Sequence, residues 1–118
     1  MDWKELYESK KMDASSALDL IHSGDRVIVG HACGEPSYLL DALVEKVEQY
    51  ENVELVHMIA MGKAPYCYPE NAKHFRHNSL FVGATTRQAV AEGRADFTPC
   101  FFYKIPSMFT NGSMPVDA

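Results

Sequence analysis

Side chains with chemical potential gather in three places along this chain. The first is the run Gly30-His31-Ala32-Cys33-Gly34-Glu35-Pro36, which puts an imidazole, a thiol and a carboxyl between two glycines. His31 follows the apolar run "VIVG" and is placed to hydrogen-bond either a ligand or neighbouring backbone. Cys33 has two readings: a thiolate activated by a following helix N-terminus, or a small inert hydrophobe. Glu35 reads as an acid or base, or as a negative charge that stabilises the first turn of a helix. The second place holds Cys67, His74 and His77, whose spacing matches no standard zinc pattern, so no metal site is expected. The third is Thr86-Arg87, where helix-opening N–H groups and a guanidinium suit a carboxylate or phosphate; the plain alternative is an exposed arginine on a capped helix. "GHACG" lacks the G-x-G-x-x-G spacing and no G-K-[ST] occurs, so neither a dinucleotide fingerprint nor a P-loop is present.

The elements that must position these residues follow from periodicity. A short helix is expected over Asp2 to Ser9. Asp13 then caps a second helix with Ala14, Ala17, Leu18 and Ile21 on one face and Gly24 at its end. "RVIVG" reads as a buried strand, and Pro36 as the first residue of a helix carrying Leu39, Leu40, Leu43, Val44 and Val47. "NVELVHMIAM" predicts a second strand. The stretch "GKAPYCYPENAKHFRHN" predicts a long loop. "SLFVGATTRQAVAEG" predicts a strand, then a helix opened by Thr85 with Gln88 in a capping box and closed by Gly93. A further apolar strand is expected around Pro99 to Tyr103, with Met58, Met61, Phe101, Phe102 and Tyr103 filling core and pocket walls. Strand-loop-helix units in series imply an α/β fold with a mostly parallel sheet and flanking helices, in which ligands sit beyond the carboxyl ends of the strands.

Composition narrows the classes. A chain of 118 residues, 47% hydrophobic and 23% charged, has one domain's worth of core and the balance of a folded globular protein. A net charge of -5, with no basic cluster beyond Lys10-Lys11, removes the electrostatic footprint of a nucleic-acid binder. No apolar run approaches the roughly 20 residues of a membrane span, and the charged start is unlike a signal peptide. Three widely spaced cysteines suit reduced thiols, so a cytoplasmic protein without disulfides is expected. The ending "VDA" reads as the start of a strand that is cut off, with an apolar edge that favours self-association.

Taken in order, "MDWKELYESKKMDASSALDLIHSGDRVIVGHACGEP", "HMIAMGKAPYCYPE", "TTRQAVAEGRADFTPCFFYKIPSMF" and "VDA" resemble the N-terminal part of the acetyl-CoA hydrolase/transferase family. The likeness is strongest to members that use 4-hydroxybutyrate, or butyrate and acetate. It implies a CoA-transferase-type fold, with residues 1-118 forming the N-terminal part of the N-terminal domain and a catalytic half absent from this chain. It also implies ping-pong transfer of CoA from an acyl-CoA to a short-chain carboxylic acid, through a thioester on a glutamate of that absent half. No catalytic residue is then expected here, and no cofactor, with CoA esters as substrates. The partners would be acyl-CoA, short-chain carboxylates and the C-terminal half, with a homo-oligomer an open option.

Residue by residue, the resemblance places Gly30, His31, Glu35 and Pro36 on the cleft, His31 as hydrogen-bond donor to the acyl or acid substrate. It adds Met61, Gly62 and Lys63 after the second strand, and Thr86 and Arg87, as further substrate-binding positions. Three rival readings stand beside it. They are an acyl-CoA hydrolase of the same family, a stand-alone acyl-CoA or nucleotide-binding module, and a hydrolase dependent on Cys33.

Overall fold

In a computed structural model describing residues 2–118, four strands form one parallel sheet in the order β1 (Arg26–Val29), β2 (Val53–His57), β3 (Phe75–Ser79), β4 (Ala95–Phe97). The register aligns Val27 with Leu55, Leu55 with His77 and His77 with Ala95, so these residues share one face. On that face lie α2 (Ala14–Leu18), α3 (Ser37–Glu45) and α4 (Arg87–Ala91), burying Leu18, Leu40, Leu43 and Ala89 against Val29, Leu55 and Phe75. The opposite face carries Ile28 and Val56 and is covered by α5 (Ile105–Thr110), with Leu80 and Met114 completing a smaller cluster. Both faces of a parallel sheet need such cover, which explains the near-continuous apolar runs of β1 and β2.

An exposed helix, α1 (Trp3–Lys10), precedes this core and buries none of its residues. Asp13 caps α2 by accepting from the Ser16 N–H at 2.8 Å, as its position predicts. The helix ends at Leu18, short of Gly24. That glycine (φ +89°) instead turns the chain into β1 and donates its N–H to the Glu51 carbonyl. Pro36, the expected first helical residue, is instead the N-cap of α3, so the helix starts one position later, at Ser37. Gly93, in the left-handed region, follows α4 as expected.

Three expectations fail, each for a physical reason. The third strand is "FRHNS", which lies in the predicted loop except for Ser79, the first residue of the expected "SLFV"; His77, Asn78 and Ser79 are buried because tertiary partners satisfy them, while Arg76 is exposed. The N-cap of α4 is Thr86 without a side-chain cap. Thr85 instead donates to the Ala60 carbonyl and Gln88 to Glu92, so no capping box forms. Residues Pro99 to Tyr103 are no strand: β4 ends at Phe97 and the chain turns into α5. Phe101, Phe102 and Tyr103 stay at least half exposed, as does Met61, while Met58 is partly buried.

Beside β1, the Ala118 N–H donates to Arg26 and its carbonyl accepts from Ile28. This alternation is that of a parallel neighbour in register with Val27. The three cysteines are free, Cys33 exposed and Cys67 buried. Among the described residues, no helix is long and apolar enough to cross a membrane.

Candidate functional site

Three loops leave the carboxyl ends of β1, β2 and β3 and are laced together there. The Ala32 N–H reaches the Ile59 carbonyl, and the Thr85 hydroxyl donates to the Ala60 carbonyl at 3.3 Å. Between these contacts Glu35 ties the first loop to the second: its Oε2 accepts the N–H groups of Met61 at 2.7 Å and Gly62 at 3.0 Å. A carboxylate holding two amides is a charge-assisted clamp. Its alternative role in the first turn of α3 is not what the geometry shows.

The glycines make this approach possible. A Cβ on Gly62 would strike the Glu35 carboxylate, and one on Gly30 would lie 2.5 Å from the Gly34 carbonyl oxygen. Ala32 (φ 51°) and Ala64 (φ 48°) hold left-handed backbone in these same loops. Such conformations cost a non-glycine residue about 1–2 kcal/mol and persist only where the surroundings impose them.

The remaining predicted positions divide by exposure. His31 is exposed at the start of the Ala32–Gly34 turn, and its imidazole makes no hydrogen bond among the described residues. Met61, Lys63 and Arg87 are exposed, Pro36 partly so. Thr86 is the exception: its side chain is fully buried, 3.4 Å from the Ser79 hydroxyl, so it faces the interior and not a ligand. Arg87 is therefore left without the adjacent threonine that would have completed an anion site.

Cys67, His74 and His77 do not converge on a cation. His74 Nδ1 lies 2.6 Å from the Tyr50 carbonyl, and His77 Nδ1 lies 3.1 Å from the Leu55 carbonyl. Among the described residues no group of three or more His, Cys, Asp or Glu is arranged to hold a metal. Burial pushes the Cys67 thiol up to about 12, which makes it inert.

Sequence reasoning missed the layer beneath the loops. His57 and His77, diagonal neighbours in adjacent strands, pack edge-to-face with ring centroids 5.6 Å apart, and Tyr66 lies against both. His77 Nε2 lies 2.6 Å from the Ser79 hydroxyl, which continues to Thr86. Burial drives both imidazoles down to about 4; Glu35 partly opposes this at His57, and His57 itself adds to it at His77. The Tyr66 hydroxyl is pushed up, again by burial. Near pH 7 both imidazoles are therefore neutral, and the network joins β2 and β3 to Tyr66 of the second loop and Thr86 of the third. The one available signal was a histidine at the end of each of two neighbouring segments, "VELVH" and "FRH".

Comparison with known proteins matches residues 1–118 to the model of the acetyl-CoA hydrolase/transferase N-terminal domain. The chain is 50% identical over 117 residues to a 4-hydroxybutyrate coenzyme A transferase of Clostridium kluyveri, covering 99% of this chain and 27% of that protein. It is 28% identical to a butyryl-CoA:acetate CoA-transferase of Anaerostipes caccae, covering 99% of this chain and 26% of the relative. A crystal structure of a 4-hydroxybutyrate CoA-transferase from Porphyromonas gingivalis superposes with a TM-score of 0.71 at 28% identity. That match covers 98% of this chain and 25% of the other. The chain thus spans about a quarter of the length of the relatives it matches.

Proposed function

The chain belongs to the acetyl-CoA hydrolase/transferase family, to its N-terminal domain, and from that premise we propose that it forms one wall of a CoA-transferase cleft. The proposed reaction moves CoA between an acyl-CoA and a short-chain acid: 4-hydroxybutyrate, butyrate or acetate, the acids in its relatives' names. The observation that carries this reading is the 50% identity to a 4-hydroxybutyrate coenzyme A transferase over 99% of the chain.

The proposed chemistry is covalent. A glutamate carboxylate outside this chain attacks the thioester carbonyl and expels CoA as a thiolate. The thiolate then attacks the resulting glutamyl anhydride, releasing the first acid and leaving a glutamyl-CoA thioester; the second acid reverses these steps. Thioester and carboxylate are exchanged for the same pair, so the overall free-energy change is small and CoA esters serve as substrates, not as a resident cofactor.

Within this reading Glu35 is no nucleophile, because its carboxylate is engaged by two backbone amides. It fixes the two loops at the strand ends. His31, exposed and without a hydrogen-bond partner among the described residues, donates to the substrate oxygen, while Gly30, Pro36, Met61, Gly62 and Lys63 shape the rim. Arg87 stands further along the same edge. Free thiols agree with a reducing cytoplasmic setting.

The test is a CoA-transfer assay with acetyl-CoA and 4-hydroxybutyrate or butyrate, run on this chain and on a full-length protein containing it. Transfer by the longer protein alone is expected. Transfer by the 118-residue chain would place the nucleophile within it and overturn the assignment. Release of free CoA independent of acceptor acid would make the protein a hydrolase instead.

A further inference from the structure

An aromatic strip runs along the sheet edge beyond β3 and β4. Phe81 lies just past the carboxyl end of β3, Phe97 closes β4, and Phe101, Phe102 and Tyr103 follow in the turn that leads into α5. Each is at least half exposed. Phe81 meets Phe102 edge-on with ring centroids 6.2 Å apart, and Phe101 stacks on Tyr103 at 5.8 Å. A cavity of about 410 Å³ opens beside this stack, lined by Pro99, Cys100, Phe101 and Lys104, the last being the charged group among them. Because the sheet is parallel, the strip stands on the same edge as the three laced loops.

We propose that this strip seats the half of the longer protein that carries the catalytic glutamate, with Phe101 and Tyr103 as anchors. The proposal rests on the CoA-transferase reading for which half docks there. Aromatic side chains bury about 150–250 Å² each, so at these exposures the five leave roughly 600 Å² of ring surface in water. That is the upper end of the apolar patch carried by a monomer, about 300–600 Å². Matched by an equal area on the other half, it makes a contact of roughly 1,200 Å², inside the range of about 600–1,500 Å² between domains of one chain.

Two further observations select the occupant. The chain spans about a quarter of the length of its relatives, so most of the longer protein lies outside it. A cleft at the loops closes only if the other half rests on this edge, and the strip is the apolar surface adjoining the loops there. A second copy is the poorer match, since an isologous contact sets strip against strip and Lys104 towards its own equivalent. The docking face should offer an apolar side chain to the cavity and a carboxylate or carbonyl to Lys104.

The experiment is hydroxyl-radical labelling of the full-length protein, read at single residues by mass spectrometry and normalised to the urea-unfolded protein. Tyr103 is 76% exposed in this chain, whereas Tyr50 and Tyr66 are 2% and 1% exposed and supply the rate of a covered phenol in the same molecule. Tyr103 should be protected as strongly as Tyr50 and Tyr66, and should stay so on dilution to the monomer and without CoA. Tyr103→Asp should lower the melting temperature of the full-length protein and raise labelling at Phe101 several-fold. Labelling of Tyr103 near its unfolded rate would overturn the proposal. So would protection that vanishes on dilution, which marks a second copy, or protection that needs added CoA, which marks the nucleotide. Protection in a monomer that transfers no CoA would uphold docking by the rest of the protein and defeat the transferase reading alone; transfer with Tyr103 exposed would do the reverse.

Discussion

Acid should destabilise this protein well before its carboxylates titrate, because two histidines are folded in their neutral form. His57 and His77 are each 1% exposed or less, and burial holds both near pKa 4 against an ordinary value of 6.5. Between these values the unfolded chain binds protons that the folded chain refuses, so stability falls as pH drops from about 6.5 to about 4, then levels off. From pH 7 to pH 5 each histidine contributes a loss of about 2 kcal/mol, about 4 kcal/mol for the pair. That is a large part of the 5–15 kcal/mol typical of a folded domain, and it should lower a urea midpoint by roughly 2 M. The assay is urea unfolding by circular dichroism at half-unit intervals from pH 7 to pH 4.5, on the parent and on His77→Gln. The variant starts less stable, having lost its bonds to Leu55 and Ser79, but its pH slope should be about half the parent's. A midpoint that stays level from pH 7 to pH 5, or a His77→Gln variant with the full slope, would refute the claim that these imidazoles are folded neutral.

Other perturbations separate clamp, core and surface. Gly30→Ala should cost about 1–3 kcal/mol, because its Cβ meets backbone at the Gly34 carbonyl; Gly62→Ala should cost less, since it meets the end of the Glu35 side chain. Thermal unfolding of both variants ranks them. Leu43→Ala, at a site 2% exposed between α3 and the sheet, should cost about 2–5 kcal/mol in the same assay. Removing the exposed Arg76–Asp96 ion pair through Arg76→Ala should cost no more than about 1 kcal/mol, with the effect shrinking as salt is raised. In the full-length protein His31→Ala should lower transfer turnover while leaving the melting temperature in place, since the imidazole supports nothing internal.

The amino-acid sequence by itself determined the parts that depend on neighbours in the chain. β1 and β2 were legible because strands covered on both faces are apolar throughout, and α3 because Leu40 and Leu43 recur at helical spacing. The Asp13 cap and the Gly93 turn were equally local. So was the placing of His31 beyond the carboxyl end of a strand, since a strand followed by a short loop and a helix has one such end.

Tertiary structure alone decided the rest. The strand "FRHNS" carries no apolar alternation, and its burial becomes affordable only when Leu55, Ser79, Glu54 and Thr98 supply hydrogen-bond partners from 2 to 24 residues away. The role of Glu35 was likewise undecidable locally: the amides it holds lie 26 and 27 residues on, and no periodicity encodes a contact across two loops. Thr86 was misplaced because a helix-opening threonine looks the same whether its hydroxyl faces solvent or Ser79. A cavity lined by His31 exists only once α5 folds over β1 and β2, bringing Phe109 to Ile28 and Val56, some 80 and 50 positions earlier. Local sequence sets conformation through short-range sterics and spacing, whereas burial of polar groups and the shape of a cavity depend on which distant residues arrive to satisfy and enclose them.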